Sequence, residues 1–183
     1  MTGNNIFLLD SNILIYNYDD ADPIKHQAAK YLIDRCWDGK EKLALSTQNL
    51  SEFFSVTTAK KFLSKRDATK VISDIIEFSG WIKLDFDHKT TFEAAKISDE
   101  NNMSYWDSLL AATMRQNGIF NLYTENTRDF KVPWINATNP FVTDADKKLA
   151  KIRSIKIGNI KKSRGIAKGV TTEDLRDETE RFE

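Results

Sequence analysis

The sequence is poor in the residues that build covalent cross-links and soft-metal sites. Its 183 residues include one cysteine, Cys36, and two histidines, His26 and His88. A single cysteine excludes an internal disulfide bond and a zinc site built on several thiolates. The two histidines are isolated from each other in the sequence, so neither a histidine metal site nor a histidine general base is expected.

Long apolar runs are also missing. No stretch of the sequence approaches the roughly 18 consecutive apolar residues that cross a bilayer. Residues 1–5 have neither a basic segment nor the small-residue pattern of a signal-peptide cleavage site. We therefore expect no membrane association and a cytoplasmic location.

An excess of charge of either sign is absent overall, because 27 Lys and Arg balance 27 Asp and Glu. The charges are nevertheless segregated along the chain. Residues 1–142 carry 19 acidic and 16 basic residues, residues 143–169 carry two and nine, and residues 170–183 carry six and two. This segregation predicts a folded domain over 1–142 and a charged C-terminal extension over 143–183, basic at first and ending in an acidic helix over 171–183.

Apolar runs of strand length alternate with segments in which apolar residues have helical spacing. The predicted strands cover residues 6–9, 43–45, 81–85 and 119–123, with a further short edge strand over 132–135. The segments between the strands predict helices. This alternation is typical of an α/β fold in which a mostly parallel sheet is covered by helices on both faces.

Four acidic residues follow predicted strands or begin predicted helices. Asp10 directly follows the first strand, Glu52 lies one turn into the helix after the second, and Asp107 lies in the first turn of its helix. Asp129 follows the fourth strand. Because ligands of open α/β sheets bind at the carboxyl ends of the strands, we expect these side chains to meet there. Carboxylates bind Mg²⁺ or Mn²⁺, and such ions hydrolyse phosphodiesters by activating water.

Each of these residues also has a purely structural interpretation. Asp10 could be a helix N-cap, Asp129 could cap a turn, and Asp107 forms a Ser-x-x-Asp capping pattern with Ser104. Trp106, beside Asp107, either packs in the core or its rim or lines a substrate groove. The metal interpretation rests on the order of the four acids along the chain and not on any one of them.

Four short segments together resemble the successive motifs of PIN-domain ribonucleases, and most closely those of VapC-type toxins. The segments are Leu8-Leu9-Asp10-Ser11-Asn12, Ser51-Glu52, Trp106-Asp107-Ser108-Leu109-Leu110-Ala111-Ala112 and Thr124-Glu125-Asn126-Thr127-Arg128-Asp129-Phe130. The resemblance covers residues 5–142 and implies a three-layer α/β/α sandwich with a central, mostly parallel sheet. It also implies an endoribonuclease that depends on Mg²⁺ or Mn²⁺ and hydrolyses RNA with metal-activated water.

The resemblance further implies roles for single residues. The three core acids and the variable fourth acid of the family match Asp10, Glu52, Asp107 and Asp129. Asn126 stands where some relatives have another acid, and the Ser11 hydroxyl would support the metal site. Members of the family commonly form homodimers, and VapC-type toxins are held inactive by a small antitoxin protein.

Basic residues are candidates for contacts to RNA phosphates. Arg128 and Lys131 flank the last acidic loop, and the extension, a departure from the VapC-type pattern, adds Lys147, Lys148, Lys151 and Arg153. The extension could instead pack on the domain or on a second subunit. The competing function is a catalytically silent RNA- or protein-binding module. A phosphotransfer domain is disfavoured, because no convincing lysine motif follows the later strands.

Overall fold

The structure is a computed structural model and describes residues 6–142, so the extension with its four candidate basic residues lies outside the described part. The strands are β1 Phe7–Leu9, β2 Leu43–Ser46, β3 Trp81–Leu84, β4 Asn121–Tyr123 and β5 Asn136–Thr138. The helices are α1 Ser11–Tyr16, α2 Pro23–Trp37, α3 Thr47–Ala59, α4 Lys65–Glu77, α5 His88–Asn101 and α6 Tyr105–Gln116. In residues 6–142, no helix has both the length and the apolarity to cross a membrane.

The five strands of the described chain form one parallel sheet in the order β3-β2-β1-β4-β5. Strand β1 is central, and Phe7 is in register with Leu43 of β2 and Asn121 of β4. The chain builds outward from β1 to β3 and then returns to place β4 on the other side of β1. The gap between the carboxyl ends of β1 and β4 is therefore a topological switch point, where ligands of such sheets bind.

Two apolar cores lie on opposite faces of the sheet. Because successive strand residues point to opposite faces, Leu8 enters the core covered by α5 and α6, whereas Leu9 enters the core covered by α1 to α4. Both side chains are completely buried. The predicted α/β/α sandwich with a mostly parallel sheet is confirmed.

The predicted edge strand over 132–135 is wrong. These residues form a turn in which the Ile135 N–H donates to the Val132 carbonyl at 3.4 Å. Pro133 suits the second position of a turn and has no N–H to contribute to a ladder. The edge strand is β5, which begins at Asn136 and pairs in parallel with β4.

Candidate active site

Asp10 lies at the carboxyl end of β1, beside the switch point. Its backbone N–H donates to the Tyr123 carbonyl at 2.9 Å, and its Oδ2 accepts a hydrogen bond from Thr124 Oγ1 at 2.7 Å. Asp10 stands at the N-cap position of α1, but its side chain makes no capping hydrogen bond. Thr124, directly after the neighbouring strand β4, therefore helps to hold this carboxylate, which does not cap α1.

The environment of Asp10 disfavours its negative charge. Burial raises the pKa of the Asp10 carboxyl from 3.8 to about 6, although the Thr124 hydroxyl and the Ser11 N–H oppose the change. The negative charges of Glu52 and Asp107 raise this pKa further. The carboxylates of Glu52 on α3 and Asp107 on α6 thus lie within electrostatic range of Asp10, which directly follows β1. In residues 6–142, no Lys or Arg forms an ion pair with any of the three.

Neutral donors hold both oxygens of Glu52. Ser11 Oγ donates to Oε2, and Gln48 Nε2 donates to Oε1 at 2.9 Å. Asn49 Nδ2 donates to Ser11 Oγ at 3.1 Å, while Asn49 Oδ1 accepts from the Ser46 N–H at 2.9 Å in the capping box that begins α3. The helix cap thus positions the serine that binds Glu52. The Ser-x-x-Asn spacing is visible in the sequence, but its connection to the site is not.

Asp107 has the capping role that its spacing predicts. Ser104 Oγ accepts from the Asp107 N–H at 3.1 Å and donates to Asp107 Oδ2 at 2.6 Å. Ser64 and Asp67 make the same two bonds at the start of α4, at 3.1 and 2.7 Å. In the described chain Asp107 Oδ1 accepts no hydrogen bond, so capping leaves one oxygen of this carboxylate for a ligand.

The loop after β4 places the fourth predicted acid in an exposed position. Asp129 is exposed, and its N–H donates to the Asn126 carbonyl at 3.1 Å. Across residues 6–142, no hydrogen bond ties its carboxylate to the other three acids. Asn126 is also exposed, and its N–H donates to Thr124 Oγ1 at 3.1 Å. The structure therefore brings Asp10, Glu52 and Asp107 together, whereas roles for Asp129 and Asn126 stay predictions.

A fifth acid beside the site is neutralised by its own partners. Glu125 follows Thr124 directly, and its carboxylate accepts from Lys25 Nζ at 2.6 Å and from the Tyr16 hydroxyl at 2.7 Å. Burial works against the charged form, but these two bonds outweigh it and lower the pKa of Glu125. Glu125 therefore ties α2 to the end of β4 and adds no uncompensated charge.

Within residues 6–142, neither of the two predicted basic contacts forms an ion pair with these carboxylates. Lys131 Nζ donates to the Asn102 carbonyl at 3.0 Å, at the left-handed residue that ends α5. A cation is favourable at a helix C-terminus, which gives Lys131 a structural role. Arg128 is exposed. Their contacts to RNA stay predictions.

The donor set fits a hard divalent cation in its chemistry and its charge. Asp10, Glu52 and Asp107 present carboxylate oxygens, which Mg²⁺ and Mn²⁺ prefer. Asn12 Oδ1 and Gln48 Oε1 are buried without a hydrogen-bond donor in the described chain, and Gln48 is bonded to Glu52. Within residues 6–142, no three His, Cys, Asp or Glu side chains form a preformed metal cluster. The fit is therefore one of donor type and uncompensated charge.

Known proteins share this fold. The sequence profile of the PIN domain matches residues 7–133. The VapC20 toxin of Mycobacterium tuberculosis, which cleaves the sarcin–ricin loop, is 20% identical with a TM-score of 0.50, over 65% of this chain and 88% of that chain. VapBC2 of Rickettsia felis bound to promoter DNA is 21% identical with a TM-score of 0.52, over 73% of this chain and 98% of that chain. A toxin–antitoxin complex of Klebsiella pneumoniae is 19% identical with a TM-score of 0.51, over 73% of this chain and 97% of that chain. At these identities the likeness to solved structures shows the fold, and no curated protein matches the sequence significantly.

Proposed function

The chain belongs to the PIN-domain family, and from this premise we propose that it is a divalent-metal-dependent endoribonuclease of the VapC toxin type. The observation that carries the proposal is the group of three carboxylates at the switch point, which has no cationic partner in residues 6–142. Such a group favours a bound cation, and its oxygens favour Mg²⁺ or Mn²⁺. A cation bound there would supply water of lowered pKa and stabilise charge on a phosphodiester.

The surrounding side chains orient the carboxylates without neutralising them. The Thr124 hydroxyl fixes Asp10, and the Ser11 hydroxyl and Gln48 amide fix Glu52. The Ser104 hydroxyl fixes Asp107. Because every one of these donors is neutral, none of them compensates the negative charge that a cation would bind. Cleavage by activated water would leave 5′-phosphate and 3′-hydroxyl ends.

An RNA cleavage assay with Mg²⁺ or Mn²⁺ tests this function. Asp107→Asn should lower the rate at least about 100-fold, the scale of single catalytic groups. Asp67→Asn is the matched control, since Asp67 makes the same cap on α4. It should cleave at the wild-type rate.

Two outcomes would contradict the nuclease. Wild-type rates for both Asp10→Asn and Asp107→Asn in folded protein would show that the carboxylate group is not catalytic. RNA binding without cleavage by the wild-type protein, under every metal condition, would favour the silent binding module.

A small antitoxin is the proposed partner, and a homodimer is the proposed assembly. The support for the antitoxin is the likeness of the fold to chains solved within toxin–antitoxin complexes. The homodimer rests on the resemblance of the sequence motifs to those of VapC-type toxins. Co-expression with a small DNA-binding protein encoded beside this chain should yield a stable complex and inhibit cleavage. Light scattering on the purified chain tests the dimer.

A further inference from the structure

Two neighbouring aromatic side chains begin α6 and directly precede Asp107 in the chain. Tyr105 and Trp106 contact each other edge to face, with ring centroids 5.5 Å apart and an interplanar angle of 70°. Trp106 is 61% exposed and Tyr105 is 38% exposed. The next residue is Asp107, one of the three carboxylates.

Exposure alone does not make Trp106 a binding residue. Phe92 on α5 is 64% exposed and is accompanied by Lys96, whose ammonium lies 4.6 Å from the ring centroid. Isolated exposed aromatic residues are common on protein surfaces. What distinguishes Trp106 from Phe92 is its connection to the candidate active site.

Gln48 makes that connection. Its Nε2 donates both to Glu52 Oε1 at 2.9 Å and to the Trp106 carbonyl at 3.2 Å. Gln48 is only 8% exposed, so this bridge is held inside the protein. One buried amide group therefore fixes the Trp106 backbone relative to the Glu52 carboxylate.

We propose that Trp106, supported by Tyr105, is a stacking subsite for an unpaired nucleobase of the RNA whose phosphodiester is bound at the carboxylates. The inference rests on the proposed nuclease function and adds to it a place for one base of the substrate. An indole ring has the largest stacking surface among side chains, and stacking on aromatic residues is how proteins hold single-stranded bases. Bases within a duplex are stacked on their neighbours and cannot offer a face to the ring.

Binding measurements separate this subsite from the cleavage chemistry. The protein is the full chain with Asp10→Asn, which keeps the RNA intact, and the probe is a short fluorescein-labelled oligoadenylate followed by anisotropy. Trp106→Ala should weaken binding about 10-fold, within the range for loss of one stacked base. Trp106→Phe should recover part of the affinity, and Phe92→Ala should have no effect.

An abasic probe identifies the stacked base. Adenosines of the probe are replaced one at a time by abasic sugars. In the Asp10→Asn protein that keeps Trp106, the replacement should weaken binding at one position of the probe. The same replacement should have little further effect in Trp106→Ala, because the base and the ring lose one shared contact. A duplex that contains the same sequence should bind with equal affinity to the Asp10→Asn protein, which is the parent, and to the same protein with Trp106→Ala.

The failing outcomes are distinct. Equal affinity of Trp106→Ala and its parent for oligoadenylate, or an equal loss with the duplex, would overturn the subsite. A change of oligomeric state in Trp106→Ala would overturn it in favour of a self-association surface. Absence of cleavage by the wild-type protein, together with base-specific binding at Trp106, would reject the nuclease and keep the subsite.

Discussion

Asp10→Asn should stabilise the metal-free fold at neutral pH while it removes the proposed activity. The Asp10 carboxyl has a pKa of about 6 in the folded chain, compared with 3.8 as its ordinary value. A pKa raised by folding favours the neutral form. The contribution of this carboxyl to the free energy of unfolding is therefore fully present below pH 3.8 and is lost as the pH rises through about 6.

The size of the effect follows from the change in pKa. A difference of about two pH units corresponds to about 3 kcal/mol at pH 7.5. Asparagine cannot ionise, and its side-chain oxygen can still accept a hydrogen bond from the Thr124 hydroxyl. Its NH₂ group, however, is buried without water to accept from it, and this costs about 1 kcal/mol of the gain. We therefore expect a net gain of about 2 kcal/mol, or roughly 4–8 °C in Tm for a chain of this size.

Urea unfolding of both proteins, in EDTA at pH 7.5 and at pH 4.5, measures this difference. The gain should be near its full value at pH 7.5 and should fall close to zero at pH 4.5. Folded wild-type Asp10 is then mostly neutral, so its ionisation costs only about 1 kcal/mol, which the offset from the asparagine NH₂ group cancels. Addition of Mg²⁺ should raise the stability of the wild-type protein more than that of the variant.

A destabilised Asp10→Asn protein at pH 7.5 would refute the reasoning. So would a gain that does not depend on pH, since only ionisation of Asp10 gives the difference its pH dependence. Either result would mean that the carboxylate is better solvated, or better compensated, than its burial implies.

Two other substitutions test the supporting structure. Thr124→Val removes the hydroxyl that holds Asp10, so the affinity for Mg²⁺, measured by calorimetry, should fall about 10- to 100-fold. The control is Thr113→Val, at another buried threonine whose hydroxyl bonds only to the Leu109 carbonyl, and this variant should keep the wild-type affinity. Equal losses of affinity in the two variants would contradict the role of Thr124. Gly118→Ala should cost about 1 kcal/mol in urea unfolding, because Gly118 has a φ of +65° with nothing near its Cβ position. Gly118→Asn should cost less, since asparagine tolerates this conformation, and an unchanged stability in Gly118→Ala would show that the backbone relaxes.

The fold could be predicted because its signals are local. A buried parallel strand needs a short apolar run, and residues 6–9, 43–45 and 81–85 have that pattern. The edge strand was misplaced because β5 is Asn-Ala-Thr, partly exposed and without an apolar run. Val132 and Ile135 supplied the stronger apolar signal, but they belong to the turn before the strand.

The acids of the site could be predicted in part, and their supports could not. Asp10, Glu52 and Asp107 are visible because a carboxylate after a strand or at a helix start has a known place in an α/β sheet. The capping and site interpretations of Asp107 are compatible, since the cap uses one of its two oxygens.

The supporting residues come from distant parts of the chain. Thr124 is 114 residues from Asp10, and Asn49 is 38 residues from Ser11. No spacing rule connects such pairs, and only the sheet order brings them together. Gln48 is a further example, because its second partner is the carbonyl of Trp106, 58 residues away.

The pairing of β1 with β4 also determines when, during synthesis of the chain, the surroundings of Asp10 can form. Asp10 is made early, but the strand that binds it is made 114 residues later. At ribosomal rates of about 5–20 residues per second, this interval is roughly 6 to 23 seconds. During that time the nascent chain carries Asp10 without the β4 strand and the Thr124 hydroxyl that fix it. Until Thr124 has left the exit tunnel, the proposed cation site therefore lacks the hydroxyl that fixes Asp10.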